Sequence, residues 1–168
     1  TPAMLALLAT FNALVLLALA YDRTRPSAQP EVWRMSLVMY LAAALSTISL
    51  VEFFGLFFLG HDIAGLPHPQ LQTVMFVALT VAGYFTLLVA RTRGPFWSLR
   101  PAPVLLAAIA SALGMSLIVA LLGWFMTPIS WQWVLMTLGY SAIWFIVGDI
   151  VKQVVYRLSA AHHTRALR

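Results

Sequence analysis

Five long apolar runs decide what this chain can become. They are Pro2–Tyr21, Val32–Leu59, Leu71–Ala90, Val104–Trp124 and Trp131–Leu158. Each reaches the ~20 residues that a helix needs to cross a bilayer. In hydrocarbon a segment must satisfy its own backbone N–H and C=O groups, as a helix, or share them around a closed barrel. Continuous runs of this length favour helices over the ten-residue alternating segments of a barrel. Only 9% of the residues are charged, against about 25% in a soluble domain. The expected fold is therefore an all-α membrane protein with five transmembrane helices in a single domain, 1–168. The second and fifth runs are longer and are expected to tilt or project beyond the lipid.

The connections leave no room for a soluble domain. Asp22–Pro30 joins the first pair, and Pro30 with Glu31 suits the start of the next helix. Gly60–Gln70 follows, with Gly65, Pro67 and Pro69 as turn-makers. Arg91–Pro103 and a tight Phe125–Ser130 complete the set. There is no internal repeat. Thr1-Pro2 is not a natural start, and no basic segment precedes the first run, so the chain reads as part of something longer.

The ten Lys and Arg residues set an orientation. Arg23, Arg25 and Arg34 flank the first turn; Arg91, Arg93 and Arg100 occupy the third; Lys152, Arg157, Arg165 and Arg168 lie at the C-terminal end. The other two turns have none. By the positive-inside rule the basic turns and the C-terminus face the cytoplasm. This one-sidedness accounts for the net charge of +5 without nucleic acid as a partner, which would need a basic surface on a folded domain. Trp124, Trp131 and Trp133 are expected at the outer boundary, and Trp33, Phe96 and Trp97 at the inner one.

Polar residues inside apolar runs are the candidate sites. Asn12, the only asparagine, lies nine residues before Tyr21, roughly 14 Å along a helix and about half of a ~30 Å hydrocarbon layer. It either makes one interhelical hydrogen bond or lines an ion path. Glu52 lies 18 residues beyond Arg34, roughly 27 Å along the helix, which points to the outer half. There it lines an exit route or reaches the outer interface. Asp149 and Lys152 are three apart and are expected to form a structural ion pair. Tyr84 either hydrogen-bonds across helices or packs. Small residues four apart, Ala6 and Thr10, Ala9 and Ala13, Ala107 and Ser111, Ala110 and Gly114, are expected to carry helix packing.

Metal and enzyme chemistry find little support. His61, Asp62 and His68 share a turn, but their spacing fits no closed site, and His162-His163 is weaker still. There is no cysteine. No phosphate-binding loop, converging Ser/His/Asp set or acidic magnesium cluster can be drawn. No metal and no cofactor are expected in this chain.

Two stretches resemble a known family. Phe11-Asn12-Ala13 through Ala20-Tyr21-Asp22-Arg23, with Pro26-Ser27, is similar to the sixth transmembrane helix and following turn of plasma-membrane-type proton pumps, a subgroup of P-type ATPases. Ala90-Arg91-Thr92-Arg93-Gly94-Pro95-Phe96-Trp97-Ser98, with Arg100-Pro101-Ala102-Pro103, looks like that family's turn between helices eight and nine. Thr127-Pro128-Ile129-Ser130-Trp131 and Asp149-Ile150-Val151-Lys152 fit its last two spans. The resemblance implies helices six to ten of a polytopic P-type ATPase membrane domain in the plasma membrane. Its partners would be the bilayer and the parent chain's N-terminal helices and cytoplasmic domains. ATP and magnesium would be handled there, since the phosphorylated Asp-Lys-Thr-Gly-Thr motif is not in this sequence. One departure stands out. Plant and fungal pumps follow the helix-six Asn with a proton-carrying Asp, and here that position is Ala13. The competing reading is a non-enzymatic five-span scaffold or subunit.

Overall fold

The structure is a computed structural model that describes residues 2–22, 35–92 and 94–166, with side chains as far as 158. Its helices are α1 (Pro2–Leu19), α2 (Met35–Phe58), α3 (His68–Ala90), α4 (Pro103–Leu122) and α5 (Trp131–Ala166). Five helical segments are long and apolar enough to cross a membrane. The fold class is therefore the one expected, all-helical and membrane-spanning.

The boundaries follow local chemistry. Pro69 and Pro103 sit in the first turns of α3 and α4, where a missing N–H costs no helical hydrogen bond. Gly123 ends α4 with φ of 74° and returns its N–H to Val119 O at 3.0 Å. That left-handed cap suits glycine, and a Cβ there would also press on the Pro128 ring.

The second span departs from expectation. It does not stop at Leu59 but continues through a π turn, Leu59–Ile63, giving a span of Met35–Ile63. The turn expected over Gly60–Gln70 shrinks to residues 64–67, and α3 starts at His68. Gly60 is the permissive residue here, because a Cβ on it would meet Leu71 Cδ1 at 2.7 Å. The start expected for this helix at Val32 lies outside the described residues.

The five helices are organised around α3. In its most apolar window 56% of residues are buried, against 11% in α2. Its face of Val74, Val77, Ala78 and Val81, at helical three–four spacing, is fully covered. The pair α1–α4 and the pair α2–α5 each pack together and both pack on α3.

Small residues do not carry these contacts as expected. Ala107, Ala110 and Ser111 are exposed. The buried stripe of α4 is instead Leu105, Ile109, Ala112 and Ser116. On α1, by contrast, the face of Ala6, Ala9 and Ala13 is uncovered, as expected if its partner helices lie outside these five, and Thr10 is exposed with it, while Met4, Phe11, Val15 and Ala18 face the bundle. Thr10 turns its hydroxyl back to Ala6 O at 2.8 Å, so it presents no free donor to a neighbouring helix.

Candidate functional site

Polar groups converge at two levels of the bundle. The first is the end where α1 and α3 finish. Asp22 follows α1, and its Oδ2 accepts a hydrogen bond from Arg91 Nε at 2.8 Å. Both side chains are nearly buried, at 6% and 4% exposure. Asp22 Oδ1 accepts a second bond, from the Ala102 backbone N–H at 2.9 Å. One carboxylate thus ties the end of α1 to the end of α3 and the entrance of α4. Neither partner was singled out in the sequence. The available signal was that Asp22 and Arg91 lie in the two turns sharing the family resemblance.

Lys152 belongs to the same level. The charge count had put it with the basic tail, but its side chain is fully buried. Nζ donates to Val89 O at 2.9 Å and to Thr92 Oγ1 at 3.3 Å, and lies 2.7 Å from Asp149 Oδ1. The Asp149 contact is a charge pair outside hydrogen-bonding alignment; Asp149 Oδ2 accepts from Gln153 Nε2 at 2.9 Å. A lysine deep enough to reach a carbonyl near the end of α3 satisfies an acceptor that the helix leaves open. It thereby fixes α5 against α3.

The second level is midway along the helices. Asn12 lies ten residues beyond Pro2, roughly 15 Å along α1. It is half-buried and makes no hydrogen bond among the described residues. Ala13 beside it is exposed.

Glu52 sits elsewhere, facing α5. Glu52 is eleven residues from Ile63 and seventeen from Met35, the two ends of its span, so it lies in the half nearer Ile63. The residue is 5% exposed, covered by the neighbouring helices. Tyr140 on α5 donates its hydroxyl to Glu52 O at 3.0 Å. Gly55, one turn further along α2, permits this approach, since a Cβ there would overlap the Tyr140 hydroxyl. Tyr84 is buried at 2% exposure, and its hydroxyl has no partner among the described residues.

The histidine turn is loosely built. The His61 and His68 rings stack at 5.5 Å, and Asp62 Oδ1 lies 3.9 Å from His61 Nε2. Among the described residues no three His, Asp or Glu side chains could hold a metal together. The side chains of His162 and His163 lie outside those residues. Of the expected aromatic belt, Trp97, Trp124 and Trp131 are exposed. Phe96 instead packs edge-on against Phe145 of α5 at 4.8 Å. Trp33 falls outside the described residues.

The arrangement matches a known family across most of its length. A profile described as "Cation transporting ATPase, C-terminus" matches residues 10–154. The chain belongs to that family. A protein of Methanocaldococcus jannaschii, provisionally named as a cation-transporting ATPase, is 31% identical over 158 residues, covering 94% of this chain and 20% of the relative. Two proteins of Leishmania donovani, named as probable proton ATPases 1A and 1B, are each 24% identical over 185 residues, covering 89% of this chain and 18% of each relative. The chain thus spans about a fifth of the length of the curated relatives it matches.

Proposed function

We propose that this chain supplies helices six to ten of an ATP-driven P-type cation pump that moves protons across the plasma membrane. Its basic turns and C-terminus face the cytoplasm. ATP hydrolysis with magnesium belongs to the cytoplasmic domains of the parent, and the remaining helices complete the ion path. The proton assignment draws on the names of the Leishmania relatives and on the resemblance around Asn12.

The observation that carries the reading is the state of α1. It holds a polar residue at mid-depth beside an uncovered face of Ala6, Ala9, Thr10 and Ala13. Small residues let backbones approach closely in lipid, so this face suits further helices of the parent, with Asn12 at the seam. Its amide supplies an acceptor and two donors. It orients a hydrated proton or a neighbouring carboxylate without being ionised.

The test is ATP-driven acidification by vesicles holding the full-length parent. Asn12→Leu is expected to impair pumping while leaving the protein folded, because one interhelical hydrogen bond is worth only about 1 kcal/mol. Ala13→Asp restores the plant-like pair and is expected to shift the pH dependence of pumping. Normal pumping by Asn12→Leu would reduce this residue to a packing contact. Orientation is tested separately, with cysteine substituted at Gly65 labelling from outside and at Ser98 only after permeabilisation. The reverse pattern would refute the orientation.

A further inference from the structure

A small polar cavity lies between α2, α3 and α5, and no residue of α1 lines it. Its polar wall is Ser49 and Glu52 of α2, Thr86 of α3 and Ser141 of α5. Its volume, counted as space open to the centre of a water molecule, is about 20 Å³. One water needs roughly 10–15 Å³ on that measure and two to four polar partners. Both conditions are met.

Two of the wall groups, Glu52 Oε1 and Ser141 Oγ, are buried and lie close to each other. Neither makes a well-aligned hydrogen bond among the described residues. The residues are 5% and 1% exposed. Polar atoms enclosed in this way normally find a partner, in protein or ordered water. No Lys or Arg among the described residues pairs with Glu52. A buried carboxylate charge without a partner is costly, so this group needs a proton on it or a cation beside it.

We propose that Glu52 and Ser141 form a proton-exchange site built around one bound water, separate from the Asn12 region. The Glu52 carboxyl passes its proton to the water, leaving carboxylate and hydronium, and later recovers one; only O–H bonds are exchanged. Ser49, Thr86 and Ser141 hold the water against the carboxyl. On α5 the adjoining titratable group is Tyr140, whose hydroxyl is already committed to Glu52 O. The cavity walls from α3 and the rest of α2 carry no titratable side chain. Val89 and Gly148 also line the cavity, and Val89 O accepts from the buried Lys152 Nζ. This inference deepens the proton-pump reading and rests on it only for a part in transport.

The test is infrared spectroscopy of the full-length parent in lipid nanodiscs, comparing wild type, Glu52→Gln and Ser141→Ala. The expected result is a carboxylic acid C=O band that disappears as pH is raised and is lost in Glu52→Gln. It should shift in frequency in heavy water and in Ser141→Ala. Absence of such a band, or a band unmoved by heavy water, overturns the proposal. A band abolished by sodium or potassium at constant pH also overturns it, because the occupant would then be a metal cation. Vesicle acidification by Glu52→Gln is read separately. Unimpaired pumping alongside a titrating wild-type band supports the site and refutes its part in transport.

Discussion

Removing the Asp22 carboxylate should loosen the joint between α1, α3 and α4 by several kcal/mol. The magnitude depends on whether the pair behaves as a surface or a buried one. Exposed ion pairs are worth about 0–1 kcal/mol, whereas breaking a buried pair by deleting one partner costs about 3–5 kcal/mol. Exposures of 4% for Arg91 and 6% for Asp22 put this pair in the buried class. Asp22→Ala also strips the Ala102 N–H of its acceptor, which adds about 1–3 kcal/mol if the amide stays dry. Against this, Arg91 Nη2 already lacks a partner among the described residues, so the native pair is not fully optimised. The expected loss for Asp22→Ala is therefore about 4 kcal/mol, near the middle of the buried-pair range. Arg91→Ala is expected to cost less, because Asp22 keeps its bond from Ala102. The double variant removes both charges, so a coupling of about 2–3 kcal/mol is expected between the sites. Reversible unfolding of the purified parent in mixed detergent–SDS micelles measures all four corners of the cycle. Additive single effects, with coupling below about 0.5 kcal/mol, would refute the argument that this carboxylate joins the three helices.

Lys152→Met should destabilise the parent by about 3–5 kcal/mol, because it leaves the buried Asp149 charge unpaired. Adding Asp149→Leu should recover much of that loss in the same unfolding assay, and failure to recover would show that Val89 O and Thr92 matter more than the charge pair. Gly55→Ala should cost about 1–3 kcal/mol by overpacking the α2–α5 contact. Tyr140→Phe should relieve the clash in that background, and a fully stable Gly55→Ala protein would refute the close approach of the Tyr140 hydroxyl.

The two ion-path candidates differ in how their surroundings are completed. Glu52 is enclosed by helices of this chain, so its neighbours Ser141 and Tyr140 can be named. Asn12 borders a face that these helices leave uncovered, and in the function proposed above its partners come from beyond them. A substitution at Glu52 therefore tests the packing of α2 on α5, and one at Asn12 tests the seam with the rest of the pump.

The run lengths and scarcity of charge were enough, from sequence alone, to determine five membrane-spanning helices, because hydrocarbon admits few ways to satisfy a backbone. The order of residues through the Asn12 and Arg91–Pro103 stretches was enough to indicate the family. Local rules explain Pro69 and Pro103 in first turns and Gly123 at a helix end, although the sequence alone suggests a turn at Pro69 and an apolar run through Gly123. Only the tertiary structure decided which face of each helix is covered. All five helices are apolar nearly all round, so periodicity gives no inward direction, and the small-residue stripes on α4 pointed to the wrong face. Tertiary structure likewise joined Asp22 to Arg91 across 69 residues, buried Lys152 beneath α3, and enclosed Glu52 beside Tyr140 of α5. Each of these depends on where a side chain lands after helices distant in sequence have packed, and no spacing within one segment encodes that.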